Sequence, residues 1–489
     1  MASLFPEFRL FISVRAILLA GLTLPIAATS ADAALTISTS ATKNVNCSAG
    51  VCSATKANAV LNASDLQNML ASSSMQVVSG SIASSINVKA ALSWVSANTL
   101  TLDAYTSVVV DKPVAVAGPG GLTVTTNDGG TGGALSFGIA AYVTFWSTSD
   151  QLTIDGTSYT LVNDISTLRL NVGNNANGNY ALAESYDASA DGTYSQAPVN
   201  TFSGTFQGLG NTISNLTINS DRDTYVGLFG LTTEATIQYL HLKNVSVQVK
   251  HAHAGGLVGQ LSGEIIGCSV SGIIKGGAET FVGGLVGYNE GTISNSWSTA
   301  KVNGSIAGYA GGLVGYNTDT ISDSYATGNV SSTLSGAYVG GLVGKDDLAL
   351  GQFPGAGVFN SYATGAVTGG TDSWVGGLEG YRSDPDGSDS TTLNASYSTG
   401  TATGGTGSTI GGLLGSQAFV ASDNYWDTTT SGITNLSQGC GNSANCPGVT
   451  GQSTSQLQAG LPAGFSSAIW GESPSINGGL PYLLAIPPK

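Results

Sequence analysis

Short runs of alternating hydrophobic and polar residues follow one another along most of this 489-residue chain, with turn-forming residues between them. Thr99-Leu100-Thr101-Leu102 and Gly121-Leu122-Thr123-Val124-Thr125 have the two-residue period of a β-strand, and Asp128-Gly129-Gly130 is a turn signal. Residues 64–70 depart from this period, and Ser64 is the candidate N-cap of a short helix there. The pattern therefore predicts an all-β protein built from many short strands.

Two short strings repeat in register in the second half of the chain. Gly-Gly-Leu-(Val/Glu/Leu)-Gly recurs at spacings of 28, 28, 29, 36 and 35 residues, beginning at Gly255, Gly283, Gly311, Gly340, Gly376 and Gly411, after a degenerate copy at Val226. An aromatic string follows at a similar offset, beginning at Asn295, Asp323, Asn360 and Ala395. The longer spacings come from inserts at residues 345–357 and 381–392, which are expected to form loops on one side.

Each repeat contains about three predicted strands, at residues 281–288, 292–297 and 300–302. A unit of this size buries too little apolar surface to fold alone, so successive units must stack, with like strands paired about 4.8 Å apart. Conserved spacing of glycine fits a coil corner, which needs either positive φ or close backbone approach. The predicted fold is a parallel β-helix (β-solenoid) with short caps. Its expected divisions are an N-terminal solenoid region at 34–200, the repeat β-helix at 201–430 and a cap over the open end at 431–489.

The repeats resemble the GLUG motif of bacterial surface proteins, named for its Gly-Leu-any-Gly core, over about residues 226–430. Upstream, residues 150–163 and 204–218 resemble the segments that lead into such repeats in filamentous-haemagglutinin-like proteins. The resemblance implies a right-handed parallel β-helix that a Gram-negative bacterium secretes or displays on its outer surface, often for adhesion. It also implies an outer-membrane export partner.

The amino terminus has the features of a secretory signal peptide. Arg9 and Arg15 precede an apolar run at residues 16–28, and small residues follow at 31–33. We therefore expect the mature chain to begin near Ala34. No later stretch has the ~20 consecutive apolar residues of a membrane-spanning helix, so we expect no transmembrane segment after signal removal.

Charge and cysteine content narrow the possible partners. The formal net charge of −15 disfavours nucleic acid and anionic membranes. Cys47 with Cys52 and Cys440 with Cys446 are candidate disulfides in an oxidising compartment, because neither pair has the His or second Cys pair that would complete a four-ligand metal site. Cys268 is expected to be a small buried apolar residue.

Two segments could hold a metal ion. His251 and His253 would share one face of a strand, with His241 as a distant third ligand, but a solvated strand edge is the favoured interpretation. Asp384, Asp386 and Asp389 form an oxygen-rich string that is a weak calcium candidate, and a polar loop without metal is favoured there. A structural calcium ion is the one cofactor that the sequence suggests.

No catalytic residue is predicted. β-Helix enzymes that cleave polysaccharides combine carboxylates with Arg or Lys in one groove, whereas the carboxylates here are scattered among turn positions where Asp is common: Asp319, Asp323, Asp346, Asp347 and Asp372.

The repeated aromatic positions have two interpretations. Trp297, Tyr325, Tyr362, Tyr397 and Tyr425 could stack on sugar rings, but packing against one another inside the coil is favoured. The expected function is that of a non-catalytic adhesin that binds glycan or extracellular-matrix ligands. A structural component of a surface layer or biofilm matrix, and a polysaccharide-active enzyme, remain as alternatives.

Overall fold

The structure is a computed structural model. It describes residues 33–347, 356–383, 392–416, 421–441 and 446–488. The predicted signal peptide lies outside the described residues except for its last residue, and so do Asp384, Asp386 and Asp389. Among the helices described, none is long and apolar enough to cross a lipid bilayer.

A single sheet, which we call the spine sheet, runs the length of the molecule, so the predicted β-helix fold is confirmed. Its strands are, in spatial order, Val45–Ser48, Val51–Ala54, Met75–Val78, Thr99–Asp103, Gly121–Thr125, Gln151–Ile154, Thr157–Val162, Asn179–Leu182, Thr205–Gln207, Ala235–Gln238, Gly263–Ile266, Thr292–Ser294, Ile321–Ser322, Gly357–Phe359, Thr392–Asn394 and Ala421–Ser422.

The N-terminal part is a three-sided solenoid. Besides the spine sheet it has one sheet of Leu135–Phe137, Val108–Val110, Ser85–Val88, Ala34–Ser38 and Ala59–Asn62, and another of Val143–Phe145, Val114–Val116 and Leu92–Trp94. A disulfide between Cys47 and Cys52 joins the first two spine strands, which form an antiparallel hairpin at the start of the solenoid. The helix Ala63–Leu70 begins beside this hairpin, but its N-cap is Asn62, not Ser64 as predicted, because the Asn62 side chain accepts from the N–H groups of Ser64 and Asp65.

The chain reverses direction between the two halves of the molecule. Gln151–Ile154 pairs with Thr157–Val162 antiparallel, across a two-residue turn in which Asp155 and Gly156 have φ of 47° and 76°. The core changes sides at the same place: Leu161 packs in the N-terminal core, and Val162 packs in the core of the repeats. Reversing both the strand direction and the face that meets the core leaves the handedness of the solenoid unchanged.

The glycine string of each repeat contributes strands to two different seven-stranded sheets, where a single strand was predicted. The pre-glycine sheet contains Tyr225–Val226, His253–Ala254, Phe281–Gly283, Tyr309–Gly311, Tyr338–Gly340, Trp374–Gly376 and Thr409–Gly411. The post-glycine sheet contains Val199–Phe202, Phe229–Thr232, Val258–Leu261, Val286–Asn289, Val314–Asn317, Val343–Asp347 and Glu379–Ser383. The predicted single strand at 281–288 is thus broken at Gly284 and Leu285, where the chain turns from one sheet into the other.

The fourth side of the coil is the ladder sheet, which carries the aromatic string. Its strands are Tyr186–Asp187, Thr193–Tyr194, Thr212–Ser214, Thr217–Ser220, His241–Val249, Ser269–Lys275, Trp297–Ser298, Lys301–Asn303, Tyr325–Ala326, Val330–Ser332, Tyr362–Ala363, Val367–Gly369, Tyr397–Ser398, Ala402–Thr403, Asn424–Asp427 and Val449–Gln452. A second helix, Ile165–Asn174, capped by Asp164, precedes these coils and was not predicted.

The first glycine of each string is required because other backbone atoms lie close to it, not because it has positive φ. A Cβ built on Gly283, Gly311 or Gly340 would lie 1.9 Å from the carbonyl oxygen three residues later, and these glycines do not have positive φ. Positive φ occurs instead at the start of each aromatic string, where φ lies between 46° and 58° at Asn295, Asp323, Asn360, Ala395 and Asp423. Asn and Asp tolerate this left-handed conformation better than most residues, which explains their recurrence there.

The serine of each aromatic string connects neighbouring coils. Ser296 Oγ accepts from the backbone N–H of Cys268 at 3.1 Å, and Ser324 Oγ accepts in the same way from Ser296 at 3.1 Å. Cys268 is fully buried and unpaired, in agreement with the prediction for it. These bonds satisfy N–H groups that the turn leaves without strand partners.

Only the first part of the predicted C-terminal cap covers the open end of the coil. Gly439 and Gly451 lie so close to the ring of Trp426 that a Cβ on either would be 2.7 Å from it, and Cys440 and Cys446 form a disulfide beside them. Residues 453–488, which we call the C-terminal segment, instead return along the outside of the coil. The segment contains the short helix Thr454–Leu457 and a hairpin of Trp470–Gly471 and Tyr482–Leu483.

Candidate functional site

The aromatic positions of the repeats form one column on the outer surface of the ladder sheet, which we call the ladder column. Its members pair in register from coil to coil: Thr212, His241, Ser269, Trp297, Tyr325, Tyr362, Tyr397 and Tyr425. Ring centroids are 6.0 Å apart for Trp297 and Tyr325, and 4.8 Å apart for Tyr325 and Tyr362, with interplanar angles of 14° in both pairs. The rings therefore stack along the axis of the solenoid.

These rings lie outside the coil, where all the tyrosines are buried and Trp297 is half-buried, so the predicted packing inside the coil is wrong. The residue after each ring points into the coil, where Ala326 and Ala363 join the core of the repeats. Tyr362 and Tyr397 belong to a separate cluster with Phe465 and Trp470 of the C-terminal segment. The small residues next to the aromatic positions were a signal for this arrangement. Neighbouring strand residues point to opposite faces, and a coil interior narrow enough to be filled by alanine and serine has no room for the larger rings.

The C-terminal segment is held on the ladder column by both ring contacts and hydrogen bonds. Tyr397 Oη donates to Pro481 O at 2.6 Å, and Tyr425 Oη donates to Ala463 O at 3.0 Å. The ring of Trp470 lies 5.8 Å from that of Tyr397 and 6.0 Å from that of Tyr362. The C-terminal segment thus covers the rings of the ladder column from Tyr425 to about Tyr325.

A groove of about 1010 Å³ opens where the ladder column emerges from under the C-terminal segment. Three parts of the chain that are distant in sequence form it. The floor is the ladder column from Thr212 to Tyr325; one wall is the end of the N-terminal solenoid, including Tyr142; the other is the C-terminal segment, including Asn477 and Pro488. Asn477 is fixed in place because its Nδ2 donates to Tyr397 Oη and to Pro481 O, both at 2.8 Å.

The groove floor presents an aromatic surface with hydrogen-bonding groups beside it. Trp297 is half-buried, and its ring centroid lies 5.3 Å from that of His241. His241 Nδ1 is 2.8 Å from Ser269 Oγ, which fixes the orientation of the imidazole. Hydroxyl groups surround these rings along the floor and walls: Ser185, Thr212, Ser269, Ser271, Thr299, Thr327 and Ser475.

A polar arm of about 810 Å³ continues from this groove and shares Ser185, Thr212, Lys243 and Ser271 with it. The arm contains Asp187, whose carboxylate accepts from Asn215 Nδ2 at 2.8 Å and from the N–H of Ser189 at 2.9 Å. These hydrogen bonds, above all that from Asn215, lower the pKa of Asp187. Asp187 is therefore ionised at neutral pH, and Lys243 is the basic side chain of the same lining.

The three histidines do not come together. His241 lies in the ladder column, His251 is exposed in a bend, and His253 stacks against Phe281 on the pre-glycine sheet with centroids 4.1 Å apart. Burial lowers the pKa of His253 to about 4. In the described parts of the chain, no three His, Cys, Asp or Glu side chains are arranged to hold a metal ion.

Sequence reasoning missed a cluster of two carboxylates and an arginine that lies inside the coil. Arg382 Nε and Nη2 donate to Glu379 at 2.9 and 2.8 Å, and Nη2 also lies 2.8 Å from Asp346 Oδ2. All three side chains are buried, and burial raises the pKa of Asp346 to about 7. Asp346, predicted to be a turn residue, is therefore a core residue that a ligand in the groove does not reach.

This cluster replaces consensus residues of the repeat. Glu379 pairs with Val343, and Arg382 pairs with Asp346, which itself continues a buried column of Asn289 and Asn317. Asn289 Nδ2 donates to Asn317 Oδ1 at 2.7 Å, and Asn317 Nδ2 donates to Asp346 Oδ1 at 2.8 Å. The signal in the sequence was the Glu at a motif position that elsewhere holds Val or Leu, with Arg three residues later.

Comparison with known proteins supports the repeat motif. The profile of the family described as "The GLUG motif" matches residues 306–331, which form one coil of the repeat β-helix. No curated protein matches the chain.

One solved structure is similar to this chain: "Crystal structure of a putative immunoglobulin A1 protease from Bacteroides ovatus". The two chains are 18% identical, the match covers 67% of this chain and 93% of the other, and the TM-score is 0.44.

Proposed function

We propose that this protein is an exported, non-catalytic attachment protein that binds a neutral glycan chain in the groove between its N-terminal solenoid and its C-terminal segment. The observation that supports this proposal is the floor of that groove, where Trp297 lies at the end of the stacked aromatic column that the C-terminal segment does not cover. Aromatic rings and hydroxyl groups together are suited to the apolar faces and hydroxyl edges of sugars. The lining contains many groups of both kinds.

The charges of the groove favour an uncharged ligand. Asp187 and Lys243 in the polar arm carry opposite charges, and the chain as a whole carries −15, which repels polyanions. Asp187 is engaged by Asn215 and Ser189, and cleavage of a glycosidic bond ordinarily uses two carboxylates on opposite sides of it. Binding without cleavage therefore fits this lining better than hydrolysis.

Export and surface location are part of the proposal. The signal-like residues 1–33 support passage out of the cytoplasm, and two disulfides suit an oxidising compartment. The resemblance to filamentous-haemagglutinin-like proteins supports release from, or display on, a Gram-negative cell with the help of an outer-membrane partner. A calcium ion at Asp384, Asp386 and Asp389 stays a prediction of the sequence.

The test is retention of residues 34–489 on immobilised neutral polysaccharides and matrix proteins, with released sugar measured in the same wells. We expect saturable retention on a polysaccharide, at least a tenfold loss on Trp297→Ala, and no released product. Trp146→Ala is the matched control, because Trp146 is 70% exposed and lies outside the groove lining. Released oligosaccharide would make the protein an enzyme, and no saturable retention on any surface would favour a structural matrix component.

A further inference from the structure

A second aromatic surface lies on the outside of the glycine strand pairs, away from the groove; we call it the outer aromatic face. One column runs along the pre-glycine sheet and contains Tyr225, His253, Phe281, Tyr309, Tyr338 and Trp374. The other runs along the post-glycine sheet and contains Gln260, Tyr288, Tyr316, Lys345 and Tyr381. All of these side chains are half-buried, so the edges of the rings meet solvent.

The rings of this face are closely packed against one another. Phe281 and Tyr309 stack with centroids 4.6 Å apart, and Tyr288 and Tyr316 stack at 5.0 Å. Across the two columns, Phe281 meets Tyr316 edge to face at 4.9 Å. Because each ring face already meets a neighbour, the columns leave little free ring face for a sugar.

The chain itself shows what kind of group this face accepts. The ammonium of Lys345 lies 5.6, 5.3 and 6.0 Å from the ring centroids of Tyr309, Tyr316 and Tyr381. Its Nζ is 2.7 Å from Asp347 Oδ2, to which Tyr316 Oη also donates at 3.0 Å. A cation is thus held between aromatic rings and a carboxylate that a tyrosine orients, an arrangement that stabilises ammonium and guanidinium groups.

A similar arrangement in the preceding coils has no cation. There Tyr288 Oη donates to Glu290 Oε1 at 2.7 Å, and the amide of Gln260, which holds the position equivalent to Lys345, donates to Glu290 Oε2 at 2.5 Å. His253 stands beside them with its ring 5.9 Å from that of Tyr288. Among the described residues, Glu290 has no basic partner, and Gln260 Oε1 and His253 Nδ1 are buried without a hydrogen-bond donor.

We infer that the outer aromatic face binds basic side chains of a partner polypeptide, and that the cluster of Glu290, Gln260, Tyr288 and His253 receives one ammonium or guanidinium group. Such a group supplies a positive counter-charge for Glu290, which is half-buried and therefore within reach of a partner. The net charge of −15 attracts a basic partner from a distance. This interaction is independent of glycan binding in the groove.

The probe is a dye-labelled peptide of twelve Gly and Ser residues with two lysines four positions apart, together with its counterpart in which both lysines are glutamine. Lysines at this spacing in an extended peptide are about 13 Å apart, close to the roughly 14 Å that three coils span. Fluorescence anisotropy with residues 34–489 is expected to show binding of the lysine peptide only. Raising NaCl from 0.05 to 0.5 M is expected to weaken it, because the Debye length falls.

Four variants locate the interaction. Glu290→Gln keeps the shape of the side chain and removes its charge, and we expect about a tenfold loss of affinity for the lysine peptide. Glu264→Gln is the control, because Glu264 is exposed on the spine sheet, and it should leave that affinity unchanged. Lys345→Met vacates the second cation position and should strengthen binding several-fold, and Trp297→Ala in the groove should leave peptide binding intact. Equal affinity for the two peptides, an unchanged affinity in Glu290→Gln with an unaltered melting curve, or no gain in Lys345→Met would overturn the proposal.

Discussion

The buried cluster of Arg382, Glu379 and Asp346 allows a sharp test of the fold, because the repeat itself supplies the compensating residues. Replacing Arg382 by Asn removes the one guanidinium that two buried carboxylates share. Asn is the residue that earlier coils carry at this place in the column, so Arg382→Asn introduces no unfamiliar shape. The perturbation is therefore mainly electrostatic.

The expected loss is about 4 kcal/mol of unfolding free energy. Removing one partner of a buried ion pair costs about 3–5 kcal/mol, since the remaining charge is left in a medium that solvates it poorly. Arg382 makes three close contacts to the two carboxylates, and all three side chains are almost fully buried. We therefore expect the loss of unfolding free energy to lie in the upper half of that range at a pH where both carboxylates are ionised.

The matched control is the triple variant Asp346→Asn, Glu379→Val and Arg382→Asn. It extends the Asn289 and Asn317 column and restores Val where Glu379 replaces it. Because replacing a whole buried charge cluster is often neutral or stabilising by about 1–4 kcal/mol, we expect the triple variant to be at least as stable as the parent protein. Urea unfolding at pH 8, followed by far-ultraviolet circular dichroism, measures both variants.

The pH dependence has a definite sign. The pKa of Asp346 is about 7 in the folded protein and 3.8 as the unperturbed value, so between these values the folded state binds the extra proton. The contribution of Asp346 to stability is greatest below pH ~4 and declines as the pH rises to about 7. The loss caused by Arg382→Asn should accordingly be smaller at pH 5 than at pH 8. A loss below about 1 kcal/mol at pH 8, or a triple variant as unstable as the single one, would refute the reasoning.

Two further predictions concern the backbone, and urea unfolding measures both. Gly311→Ala should lower the free energy of unfolding by about 3 kcal/mol, because its Cβ would lie 1.9 Å from Val314 O. The control is Gly173→Ala, in a helix with no atom near its Cβ, which should raise the free energy of unfolding by up to about 1 kcal/mol. Similar effects at the two sites would contradict the close-approach explanation. Asn295→Ala should cost about 1 kcal/mol at φ of 49°, and Asn295→Gly less; equal losses would point to the Asn side chain instead of the backbone.

Several features of the fold followed directly from the sequence. The 28-residue spacing of the glycine strings predicted stacked coils, and the structure pairs Phe281 with Tyr309 and Val286 with Val314 in that register. The Asp155-Gly156 turn was not predicted, although Asp-Gly between two apolar strands is a hairpin signal. Its consequence for the direction of the chain was missed, because the local signal does not say that the core changes sides at the same point.

The candidate site depended on contacts that no local pattern encodes. Alternation around Trp297 and Tyr325 shows that the ring and the following residue lie on opposite faces of a strand, but it does not show which face the coil encloses. The C-terminal segment decided how much of the ladder column is exposed, through Trp470 and Pro481, which are more than seventy positions from Tyr397. Likewise, Arg382 and Asp346 meet because coils stack in space.

The sequence by itself thus determined the repeat, the strand-forming character of each coil and the residues that recur along it, because stacking of identical units is dictated by their period and composition. The tertiary structure alone decided which aromatic rings are covered, where the groove opens and which charges are sealed in the core. The physical reason is that burial is a property of the assembled surface: a side chain is removed from water only when a distant part of the chain packs on it.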